Sequence, residues 1–108
     1  VPMPDAAARA EIFRIHLRER VTGNYDIDVH ALAEQTEGYT GSDIAAIVRE
    51  AGLLAIESRI RERSQGRTAA ADPTVRIRER DLKRALETVD PSLSPETRTR
   101  YDSLDQFE

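Results

Sequence analysis

The segment from Gly41 to Ile60 constrains this chain most. Ile44, Ile47, Val48, Ala51, Leu54 and Ala55 fall at offsets 0, 3, 4, 7, 10 and 11. Only a 3.6-residue period places all six on one face, so the spacing predicts a long amphipathic helix. Ala45, Leu53, Ile56 and Ile60 form a second apolar flank. A helix apolar on two sides is expected to lie centrally among other helices. Thr40-Gly41-Ser42-Asp43 stands directly before the repeat and fits the [ST]-x-x-[DE] capping box. There the hydroxyl and the acid each satisfy a backbone N–H that the first turn leaves without a partner.

Such a helix needs partners, and the flanking sequence supplies them. After the entry Val1-Pro2-Met3-Pro4, Asp5 is a candidate N-cap for a helix over about Ala6 to Arg20. Ile12, Ile15 and His16 share one face of it, widened by Phe13 and Leu17, and Thr22-Gly23-Asn24 stops it. A shorter helix follows, capped by Asp28, burying Val29, Leu32 and Ala33, with Gly38 read as its C′ glycine. Ser64 to Thr74 is small, polar and marked by Pro and Gly, and reads as a loop. Val75 to Arg78 alternates and predicts one short strand. Leu82, Ala85, Leu86 and Val89 then give a fourth helix, ended by Asp90-Pro91. Ser94-Pro95-Glu96 opens a last helix, with Tyr101, Leu104 and Phe107 on its apolar side. The expected fold class is therefore mainly α: a small helical bundle of four helices plus a C-terminal helix, with at most one short strand.

Composition supports this reading and excludes much else. The chain has 108 residues, enough for one core. Only five residues are aromatic, so Ile, Leu, Val and Ala must fill that core. The absence of cysteine excludes a disulfide scaffold and thiolate metal sites. The two histidines, His16 and His30, lie on separate segments, so a His-rich zinc site is not expected. No apolar run reaches membrane-spanning length, and no signal peptide is visible. The net charge of −4 disfavours nucleic acid, whose binding depends on neutralising phosphates. Lys83 is the sole lysine beside fifteen arginines, a bias seen in salt-adapted or GC-rich genomes.

Complete catalytic motifs are missing. The sequence holds no G-x-x-x-x-G-K-[ST] phosphate loop, no G-x-G-x-x-G, no H-E-x-x-H and no nucleophile elbow. His16 could act as a base, but a lone histidine on an apolar helix face more often serves structure. Glu57 and Glu62 read as solvated. Arg59, Arg61 and Arg63 could meet an acidic partner or simply complement the helix C-terminal dipole. The most suggestive segment is Gly38-Tyr39-Thr40-Gly41-Ser42-Asp43-Ile44. It brings a residue without a side chain to a helix N-terminus, where free N–H groups and the dipole suit a phosphate-bearing ligand. A tight turn with a capping box explains the same residues structurally.

Read together, three segments resemble the C-terminal helical lid of AAA ATPases. G-Y-T-G-S-D-I-A-A-I-V-R-E-A resembles the family's G-[YFH]-x-G-[AS]-D-[LI]-x-x-[LI]-x-x-E-A. Upstream, P-D-A-A-A-R-A-E-I-F-R-I-H-L resembles P-[DN]-x-x-x-R-x-x-I-[LF]-x-x-[HY]. Downstream, I-R-E-R-D-L-K-R-A-L resembles [IV]-T-x-x-D-[FL]-x-x-A-[LI]. Order and spacing match over nearly the whole chain. The tail P-S-L-S-P-E-T-R-T-R-Y-D-S-L is similar to the end of the second AAA domain in double-ring unfoldases of the valosin-containing-protein type. Lids of proteasomal and FtsH-type ATPases are the nearer alternatives. A stand-alone helical interaction module docking through Leu53, Ile56 and Ile60, or an arginine-rich histone-like DNA binder, are alternatives of other classes.

The resemblance implies a lid over residues 1–90 and an extension helix over 91–108. It implies that Ile12 and His16 flank the adenine and ribose of ATP or ADP, and that Gly41 and Ser42 approach the nucleotide. Magnesium and the catalytic groups would belong to a core domain upstream of Val1, a start that itself reads as a fragment. Partners would be that core, neighbouring subunits of a homohexamer and protein substrates, with no nucleic acid and no membrane, in the cytoplasm. The whole would be an ATP-hydrolysing unfoldase, and this piece alone would be inactive. Two departures stand out. Ser42 replaces the family's more frequent alanine, and Arg78 stands where a threonine or serine N-cap is usual, weakening that cap by about 1 kcal/mol.

Overall fold

The computed structural model describes residues 3–20, 27–66 and 76–92. The expected extension helix over 94–108, the Thr22-Gly23-Asn24 stop, Val75 and most of the expected loop after Ser64 lie outside them. The described residues form four helices: α1 (Ala6–Arg20), α2 (Val29–Glu34), α3 (Gly41–Ser64) and α4 (Glu79–Thr88). Among the described residues no strand forms, and Arg76 to Arg78 run into α4 without pairing.

The helices start where the capping chemistry places them. Asp5 Oδ1 accepts the Ala8 N–H at 2.8 Å. Asp28 Oδ1 accepts those of His30 and Ala31, each at 3.1 Å. At α3 the full reciprocal box forms: Thr40 Oγ1 takes the Asp43 N–H and Asp43 Oδ2 takes the Thr40 N–H. Only half a box forms at α4. Asp81 Oδ2 accepts the Arg78 N–H at 2.9 Å, but Arg78 offers no acceptor in return. Gly38 is not the C′ residue of α2. Gln35 caps that helix, and Gly38, at φ 86°, closes the turn that follows. That left-handed backbone suits glycine, which has no Cβ to strain.

α3 is the axis of the fold, with α1 and α4 packed against it and α2 against α1. α4 runs antiparallel to α3: Arg78 reaches Glu62 near the end of α3, while the Ser92 N–H reaches Asp43 at its start. The core consists of Phe13, Leu17, Ile27, Leu32, Ile44, Ile47, Val48, Ala51, Ala55, Ile77, Leu82 and Ala85. On α1 the buried residues are Arg9, Ala10, Phe13 and Leu17, whereas Ile15 is exposed, so the face assigned from spacing is rotated. Among the described residues, no helix covers Leu53, Ile56 and Ile60 on the second apolar flank of α3 either. Leu53, Ile56 and Ile60 are 52%, 46% and 62% exposed, because both neighbours pack on the Ile44–Ile47–Ala51 side.

Candidate functional site

The four residues singled out in the sequence lie at or near the meeting of α1 and the N-terminus of α3. Ile12 is half-buried and packs against the core. A methyl group placed on Gly41 would lie 3.8 Å from Ile12 Cδ1, an ordinary van der Waals contact. The structure therefore brings Ile12 and Gly41 together across the α1–α3 junction. Gly41 has no positive φ, so neither its backbone nor its surroundings require glycine. His16 follows Ile12 by four residues on α1, on the same side of the helix, and is half-buried. Ser42 is exposed on the first turn of α3. As the first two residues of the helix, Gly41 and Ser42 have N–H groups without intrahelical acceptors, at the positive end of a 24-residue helix.

This edge is held in place by two buried charges, Asp43, expected from the sequence only as the acid of the capping box, and Arg9, to which the sequence assigned no role. Asp43 is 5% exposed. Besides the Thr40 N–H, its Oδ2 accepts the Ser92 N–H at 3.1 Å, which ties the start of α3 to the segment after α4. Burial pushes its carboxyl upward, but the hydrogen bonds from Thr40 and Ser92 outweigh burial and hold it below the ordinary carboxylate range. Next to it, the Tyr39 hydroxyl donates to the Val89 carbonyl at 2.9 Å. Burial, reinforced by the charges of Asp90 and Asp43, raises the Tyr39 hydroxyl above its usual range, so it stays a donor.

Arg9 is 6% exposed. Its Nε and Nη2 donate to the Ala33 carbonyl at 3.0 and 2.8 Å, and its Nη1 donates to the Pro4 carbonyl at 2.8 Å. The guanidinium thus satisfies the last turn of α2 and fixes α1 against it. The signal for both residues was present in the quoted motifs, as the arginine of P-D-A-A-A-R and the aspartate of G-S-D, but neither can touch a ligand from inside the core.

Other expected candidates resolve differently. Glu62 is not simply solvated: its side chain is 26% exposed and pairs with Arg78 at 3.2 Å and Arg80 at 3.4 Å. His30 faces Arg14 Nη2 through Nε2 at 3.1 Å. Among the described residues no group of three or more His, Cys, Asp or Glu is placed to hold a metal ion, and no helix is long and apolar enough to cross a membrane.

Comparison with known proteins gives a consistent result. Residues 26–68 match the family model described as the AAA+ lid domain. The chain is 42% identical over 107 residues to the cell division cycle protein 48 homolog of Archaeoglobus fulgidus, which covers 96% of this chain and 14% of that protein. It is 34% identical over 106 residues to the human ATPase family gene 2 protein homolog A, covering 98% of this chain and 10% of the relative. A 50-residue stretch is 48% identical to human vacuolar protein sorting-associated protein 4A, 46% of this chain and 11% of that protein. The chain therefore spans about one seventh or less of the length of these relatives. A four-helix architecture built on the G-Y-T-G-S-D turn, a match to the family's model and similarity over nearly the whole chain agree: this protein belongs to the AAA+ lid domain family.

Proposed function

We propose that this chain is the lid of an ATP-hydrolysing AAA ATPase of the double-ring, cell division cycle protein 48-like type. Residues 1–90 are the lid proper and 91–108 an extension. Its role is to close over the adenine and ribose of ATP or ADP, with Ile12 and His16 against the base and sugar and Gly41 and Ser42 presenting backbone at the α3 N-terminus. Phosphate binding, magnesium and hydrolysis belong to a core domain outside this chain. The assembly is a cytoplasmic hexamer, and the swing of the lid between nucleotide states couples hydrolysis to unfolding or remodelling of protein substrates.

The observation that carries this reading is Gly41. The fold would accept a side chain there, yet the residue is the one that leaves the helix N-terminus and Ile12 open to a flat ligand. An apolar side chain, an imidazole and N–H groups without intrahelical acceptors at one edge suit a nucleoside. The chain alone is expected to hydrolyse no ATP.

Titration of the labelled chain with millimolar ADP, followed by amide chemical shifts, tests the site. Shifts should concentrate at Ile12, His16, Gly41 and Ser42, and Gly41→Val should abolish them while the melting temperature changes little. Scattered shifts, or none, would overturn the assignment, and ATP turnover by the chain alone would overturn the division of labour.

A further inference from the structure

The charge of this molecule is polarised. The net charge is −4. Yet the segments 57–66 and 76–84, at the end of α3 and the start of α4, carry eight cationic residues against four carboxylates. The remaining described residues are net acidic. At the basic end the two helices leave a cleft of about 300 Å³, whose lining includes Ser58, Arg61, Glu62, Arg80, Asp81 and Arg84. The cleft begins seventeen residues along α3 from Gly41, about 25 Å at the helical rise. It is therefore separate from the edge described above.

The cations of this cleft are unequally occupied. Glu62 pairs with Arg78 and Arg80. Asp81 is 3% exposed and accepts the Arg78 N–H. Among the described residues, Arg61 and Arg84 have no carboxylate within salt-bridge distance. The Arg61 guanidinium instead lies 3.5 Å from Ser58 Oγ. Two forked donors on neighbouring helices thus face one concave space, a geometry suited to planar carboxylates.

We propose that this cleft is a docking site for an acidic polypeptide segment, whose carboxylates pair with Arg61 and Arg84. A nucleic-acid strand fits it less well. Among the described residues, only Arg61 and Arg84 of the cleft's cations lack a carboxylate partner, too few to neutralise a closely spaced run of phosphates. Among the described residues, no aromatic side chain lines the cleft to stack a base.

Fluorescence anisotropy with a fluorescein-labelled peptide of Glu-Gly-Glu repeats, at low salt, provides the test. Arg61→Ala/Arg84→Ala should raise Kd at least tenfold. The control pair Arg18→Ala/Arg49→Ala, which removes the same charge elsewhere, should change it less than twofold. Glu62→Gln should tighten binding severalfold by releasing Arg78 and Arg80. An oligothymidylate of equal charge should bind at least tenfold more weakly than the peptide. Equal losses in the two double variants would reduce the effect to bulk attraction and overturn the site. Tighter binding of the oligonucleotide would overturn the class of ligand. Unchanged helical circular dichroism in both double variants is the expected companion result, since all four arginines are exposed.

Discussion

Arg9 and Asp43 are charged and buried, and among the described residues neither has an opposite charge within salt-bridge distance, yet each is satisfied by backbone groups. For Arg9 the acceptors are carbonyls of Ala33 and Pro4. Arg9→Ala would strand a helix-end carbonyl in the core and remove charge-assisted bonds. The expected loss is about 2–3 kcal/mol, visible as a lower urea midpoint, and Arg9→Lys should recover only part of it because an ammonium lacks the fork. Asp43 makes stability depend on pH. Its folded pKa lies below the ordinary value of 3.8. Its contribution is therefore complete above that value and is lost as pH falls through the folded pKa. In Asp43→Asn the melting temperature should fall less between pH 5 and pH 2 than in the parent. A parallel decline in both would assign acid sensitivity to other carboxylates. Gly41→Ala should leave stability within about 1 kcal/mol, since alanine favours helix and its methyl meets only Ile12 at van der Waals distance.

At the scale of the element, caps explain both agreement and disagreement. The α1, α2 and α3 starts were legible because Asp5, Asp28 and Thr40 act through their own nearest N–H groups, which requires no tertiary information. Gly38 was legible as a turn glycine but not by position, because two or three residues of turn after Gln35 are invisible to a pattern of apolar spacings. A left-handed alanine at this position should cost about 1–2 kcal/mol on thermal melts. Arg78 shows how a weak cap is offset. Asp81 supplies half of the box, and the Arg78 guanidinium pairs with Glu62 across to α3. Arg78→Thr should gain about 1 kcal/mol from a hydroxyl cap and lose up to about 1 from that exposed pair. The expected net change in the denaturation midpoint is therefore small.

Over the whole molecule, the two flanks of α3 separate what pattern reveals from what packing decides. Ile47→Ala, within the face covered by the other helices, should cost about 2–4 kcal/mol by leaving a cavity. Ile56→Lys, on the open flank, should change unfolding by less than about 0.5 kcal/mol. Spacing alone could not distinguish these isoleucines. Both lie on apolar stripes of one helix, and only the positions of α1 and α4 assign one to the core. The candidate edge divides the same way. Ile12, His16, Gly41 and Ser42 were all named from motifs, but the proximity of Ile12 to Gly41 belongs to the junction between helices. By itself the sequence determined the four described helices, the N-caps of the first three, the mainly α class and the family, because periodicity and capping act over one or two turns. Tertiary structure alone decided which stripe is buried, that Arg9 and Asp43 are interior ties, and that Arg61 and Arg84 share a cleft. Those depend on contacts between residues 20 to 50 positions apart, whose pairing is set by packing and leaves no local pattern.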